Sequence, residues 1–129
     1  MALVVSDVLI EHLRGKEPAR DWLVRARQSP GPAAISAVGL AEIAGGMRPP
    51  ERRAVMRLPG SMQRFEVTGQ LAWRAAALMQ EYRRSHSGIS AGPASEATLI
   101  AATALTEGLE LATLNVRRYP MFPGLPRPF

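Results

Sequence analysis

Cysteine is absent from the 129 residues, which removes disulfide scaffolds, thiolate zinc sites and cysteine nucleophiles together. Aromatic residues are scarce at 5%, too few for the stacking platforms that hold single-stranded nucleic acid. Histidine occurs only as His12 and His86, and nothing in the sequence pairs either one with a nucleophile and an acid. The longest apolar stretches, such as Ala97 to Leu105, fall well short of the roughly 20 residues of a bilayer span. A Gly-rich phosphate loop is also missing, because Gly31 and Gly45-Gly46 lie outside the strand-loop-helix setting of a nucleotide fingerprint.

What is present describes a single domain, residues 1–129, with 47% hydrophobic and 21% charged residues. A chain of this size buries about two-thirds of its surface, enough for one core. Sixteen basic residues against eleven acidic ones give a formal charge of +5, and Lys16 is the only lysine among them. Arginine forks fit phosphates bidentately, so the balance leans toward a polyanion, although arginine-rich codon usage would give the same excess. The start, Met-Ala-Leu-Val-Val-Ser-Asp, has neither the basic opening nor the apolar stretch of a secretory signal, so a cytoplasmic protein without membrane contact is expected.

Strands alternate with helices along the chain. Leu3 to Ser6 reads as a strand, followed by a helix through Leu9, Ile10 and Leu13 that closes at Gly15. A second helix starts near Pro18, carries Trp22, Leu23 and Ala26, and must end in Ser29-Pro30-Gly31-Pro32. Ala33 to Val38 is the second strand, with a short helix after it stopped by Gly45-Gly46. Beyond Pro49-Pro50, Glu51 to Leu58 is helical, Arg64 to Thr68 alternates as a strand does, and Gln70 to Arg84 repeats its apolar residues at helical spacing. Ser95, after the Gly-, Ser- and Pro-rich segment from Ser85 to Ala94, is the expected cap of a helix reaching Glu107, which Gly108 ends. Leu109 to Asn115 is the last strand, and four prolines make the tail from Tyr119 to Phe129 irregular. Unalternating runs such as Leu3-Val4-Val5 belong to a parallel sheet covered on both faces, an α/β architecture of three layers.

In open parallel sheets, sites form beyond the carboxyl ends of the strands, where the strand order reverses. Those ends hold Ser6 and Asp7, then Ser36 with Glu42 beyond it, then Thr113 and Asn115, while Glu96 opens the helix before the last strand. Oxygen ligands without histidine or cysteine suit a hard cation such as Mg²⁺ or Mn²⁺, and with it phosphate chemistry. Each residue also has a plain structural use. Asp7 can cap the first helix, Glu96 suits a helix start, Asn115 can begin a turn, and Ser6 and Thr113 can serve as hydrogen bonders. Glu42 is the least easily dismissed, being a charge flanked by Leu40, Ala41, Ile43 and Ala44. Arg83, Arg84, Arg117 and Arg118 flank the same region, as contacts to RNA phosphates or as a solvated surface.

Three separated segments, VVSDVLIEHLRG, ISAVGLAEIAGG and SEATLIAATALTEGLELATLN followed by VRRYPMF, resemble the PIN-domain endoribonuclease toxins of the VapC type. The resemblance implies a parallel sheet between helices, a homodimer, Mg²⁺- or Mn²⁺-dependent hydrolysis of RNA by metal-activated water, and inhibition by a cognate antitoxin. Carried onto this chain, it implies Asp7, Glu42 and Glu96 as catalytic acids, which hold the metal together with Asn115, with Ser6 and Thr113 supporting them. Two places that are acidic in the family hold Val5 and Ala97 here. The alternative is a weakened or inactive PIN-fold protein that binds antitoxin or RNA. A small α/β enzyme acting on phosphorylated metabolites is a more distant one.

Overall fold

The computed structural model describes residues 1–28, 33–85 and 94–129. Strand β1 (Ala2–Val4) leads into helix α1 (Ser6–Leu13), and α2 (Glu17–Gln28) returns toward β2 (Ala34–Ser36). Next come α3 (Ala37–Gly46), a 3-10 turn at Pro49–Glu51, α4 (Arg52–Arg57), another 3-10 turn at Leu58–Ser61, and β3 (Gln63–Phe65). The remaining elements are α5 (Gly69–Ser85), α6 (Ser95–Glu107), β4 (Glu110–Ala112) and a 3-10 turn at Val116–Arg118.

The four strands form one parallel sheet in the order β3-β2-β1-β4. From β1 the chain steps outward to β2 and β3, then crosses to the other side of β1 for β4. The switch point is therefore the crevice between β1 and β4, where a site is expected. In β1, Leu3 faces a buried cluster with Ala34, Leu111, Ile100, Ala101 and Ala104, whereas Val4 faces another with Val8, Leu9, Leu23, Ile35 and Ile43. Alternating side chains thus feed two cores, one on each face of the sheet. Helix α5 adds an outer layer on α6 through Leu71, Ala75 and Ala102. This is the three-layer α/β arrangement expected from the sequence.

Element ends differ from the expectation in a consistent way. The first strand stops at Val4 and the second at Ser36, each two residues early, because a helix begins almost at once. Val5 rather than Asp7 is the N-cap of α1, and Ala94 rather than Ser95 is that of α6. Ser36 does cap its helix, its Oγ accepting from the Val38 N–H at 3.1 Å. Glycine ends α6 as expected: Gly108 adopts φ +65°, a left-handed conformation that lets its N–H turn back to the Ala104 carbonyl. The expected Ser29–Pro32 stop, His86, and most of the Ser85–Ala94 loop lie outside the described residues.

Candidate functional site

Three chain segments meet where β1, β2 and β4 end. Helix α1 starts one residue after β1, so Ser6 and Asp7 sit in its first turn, above the switch point. Helix α3 starts directly after β2 and brings Glu42 in beside them. After β4 the chain passes Thr113 and Asn115 and makes a single 3-10 turn, which returns Arg118 to the same rim.

Asp7 bridges the crevice. One carboxylate oxygen accepts from the Thr113 hydroxyl at 2.7 Å and from the Leu114 and Asn115 N–H groups at 3.0 Å each; the other accepts from the Val8 N–H at 2.7 Å. The Thr113 hydroxyl also accepts from the Asn115 N–H at 3.1 Å. The acid expected as a ligand thus ties the end of β4 to the start of α1. Asn115 joins through its backbone and is exposed.

Glu42 has a different partner. One of its oxygens lies 2.6 Å from the Arg118 guanidinium, and the other accepts from the Ser6 hydroxyl at 3.3 Å. Both members of the ion pair are about one-quarter exposed, 25% for Arg118 and 26% for Glu42, so the pair is open to ligands from solvent yet shielded enough to be strong. Burial pulls the Arg118 guanidinium down, but the Glu42 hydrogen bond and the nearby negative charges, Glu96 among them, outweigh it and hold the group above its usual range. Glu96 is exposed on the first turn of α6 and is linked to this center through its field on Arg118.

Beneath the rim the surroundings are apolar. Val5 and Ala97, the two places where the resemblance implies acids, are completely buried in one cluster with Ile100, Ala101 and Tyr119. Tyr119, which the sequence places at the start of an irregular tail, is among the largest fully buried side chains. Its ring lies under the Arg118 guanidinium, 5.8 Å from centroid to carbon. Its hydroxyl is enclosed without a hydrogen-bond partner among the described residues. Burial first, and then the charges of Glu42 and Asp7 against the opposing pull of Arg118, keep this phenol protonated far above its usual range.

This donor set, as folded, does not fit Mg²⁺ or Mn²⁺. A hard divalent ion takes several oxygens around one point. Among the described residues no three Asp, Glu or His side chains gather in that way. The carboxylates of Asp7 and Glu42 are engaged elsewhere, and Val5 and Ala97 offer no oxygen. Of the expected RNA contacts, Arg117 and Arg118 are on the rim, while Arg83 and Arg84 lie exposed on the last turn of α5. The sequence by itself does not reveal the pairing of Arg118 with Glu42 or the burial of Tyr119. The nearest signal is spacing: a 3-10 turn after Asn115 brings the residue three positions later back to the same edge.

The PIN domain family model matches residues 2–119. Ribonuclease VapC10 of Mycobacterium tuberculosis is 54% identical over 129 residues, which is 100% of this chain and 93% of that protein. Ribonuclease VapC19 of the same organism is 33% identical over 129 residues and the full length of both chains. Among solved structures, a toxin-antitoxin complex from Klebsiella pneumoniae aligns with TM-score 0.77 and 27% identity, covering 100% of this chain and 98% of that one. A DNA-bound VapBC from Salmonella typhimurium shares the fold at TM-score 0.72 and 22% identity, covering 97% and 96%.

Proposed function

The chain belongs to the PIN domain family, and from that premise we propose that it is a ribonuclease, the toxin of a bacterial toxin-antitoxin pair, hydrolysing RNA phosphodiester bonds. The observation that carries this reading is its 54% identity to a ribonuclease across its whole length. Glu42 and Arg118, paired at the open end of the strands, supply an acid and a phosphate-binding fork where substrate would lie. The proposed protein partner is a cognate antitoxin, supported by the likeness to a toxin-antitoxin complex. Arg117 and Arg118, with Arg83 and Arg84 further out, are the proposed RNA contacts. A homodimer acting in the cytoplasm, with residues 1–129 as one domain, belongs to the same reading.

Divalent-ion dependence is general in the family. The ligands the resemblance implies for Mg²⁺ or Mn²⁺, namely Asp7, Glu42, Glu96 and Asn115, are not gathered around one point among the described residues, with Asp7 held by Thr113 and Glu42 by Arg118. The deciding experiment incubates antitoxin-free protein with RNA in Mg²⁺ and in EDTA. Cleavage in Mg²⁺ that falls at least tenfold in Glu42→Gln supports the ribonuclease. A folded protein that still captures its antitoxin but cuts no RNA supports a second reading, a PIN-fold binding protein without catalysis. The observation favouring that second reading is the buried pair Val5 and Ala97 in place of acids.

A further inference from the structure

The acidic center already holds a cation of the chain's own. The Arg118 guanidinium meets a Glu42 oxygen at 2.6 Å, rests over the buried Tyr119 ring at 5.8 Å, and feels the field of Glu96. Two contacts on different sides therefore fix its position, which an exposed arginine side chain ordinarily lacks. We propose that Arg118 is the resident counter-cation of this site and competes with divalent ions for Glu42. An entering ion must break a short charge-assisted hydrogen bond and then sit beside a guanidinium in a partly desolvated pocket, where like charges repel strongly. Val5 and Ala97, buried below, provide no replacement oxygen. Ion affinity is consequently set by whether the guanidinium stays or leaves.

This inference concerns the site of the proposed ribonuclease and takes from that reading the divalent ion as its ligand. The test uses Mn²⁺ alone, with no RNA present, so its outcome is independent of whether the protein cuts RNA. Mn²⁺ binding to the full chain is measured by calorimetry and by the resonance of free Mn²⁺ for wild type, Arg118→Gln and Glu42→Gln/Arg118→Gln. Arg118→Gln should bind at least tenfold more tightly than wild type, and the double variant should lose that gain. Equal affinity in wild type and Arg118→Gln, including no binding in either, overturns the proposal, as does a gain that survives Glu42→Gln. Should Arg118→Gln fail to fold, wild type is titrated with Mg²⁺ while the Arg118 guanidinium and Glu42 carboxylate signals are followed by NMR. Joint movement at one concentration supports competition. Movement of Glu42 with Arg118 unchanged, or of neither group, overturns it.

Discussion

The Asp7 carboxylate accepts from Val8, Thr113, Leu114 and Asn115, and truncating it strands the buried Thr113 hydroxyl and the N–H groups of Val8 and Leu114, which are partly shielded from water. Asp7→Ala should therefore cost about 2–3 kcal/mol, read as a lower urea midpoint with an unchanged slope. A second residue-scale effect comes from His12, whose Nδ1 is enclosed without a partner among the described residues. Burial first, then Arg27 and Arg20, lower its pKa from 6.5. The unfolded chain thus takes up this proton more readily than the folded one, so stability rises as pH climbs through the window from the lowered value to 6.5 and is lost on acidification. Unfolding midpoints at pH 5 and pH 7 should differ in that direction, and His12→Gln should narrow the difference. At this scale the sequence made Glu42 conspicuous, because a charge among Leu40, Ala41, Ile43 and Ala44 must find a partner. It did not reveal the partner, which lies 76 residues away and is joined only by the fold.

At the scale of elements, periodicity and punctuation placed every helix and strand in order. What they missed were the junctions. Val5 and Ala94 became N-caps although neither side chain caps anything. Both strand and helix are set there by packing, not by the local chemistry that favours Asp7 or Ser95 as a cap. The first strand's early end also decides the role of Asp7: with α1 beginning at Ser6, its carboxylate turns to β4 while Val5 enters the core. Gly108 is a position where local chemistry does govern. At φ +65° any side chain is strained although space is open around it, so Gly108→Ala should cost about 1 kcal/mol, measurable by urea unfolding.

For the whole molecule, the parallel sheet is readable in advance because unalternating apolar runs demand cover on both faces, whereas the strand order, and with it the switch point between β1 and β4, comes only with the fold. The fate of the acidic center is not readable either, since burial of Val5, Ala97 and Tyr119 in one cluster arises only when β1, α6 and the turn after β4 come together. That shared burial yields a prediction. Val5→Asp combined with Ala97→Asp places two carboxylates in an apolar cluster, so the ion-free variant should be less stable than wild type by several kcal/mol. Millimolar Mn²⁺ should then raise its melting temperature well beyond any shift in wild type, because a ligand bound only by the folded state stabilises it. A melting temperature indifferent to Mn²⁺ would show that restoring the acids does not rebuild an ion site. The bond between Asp7 and Thr113 spans 106 positions, with β1 seated between a strand made early and the one made last. During synthesis, a ribosome must release the chain through Arg118 before this rim can close, so translation products truncated ahead of that point carry no assembled center.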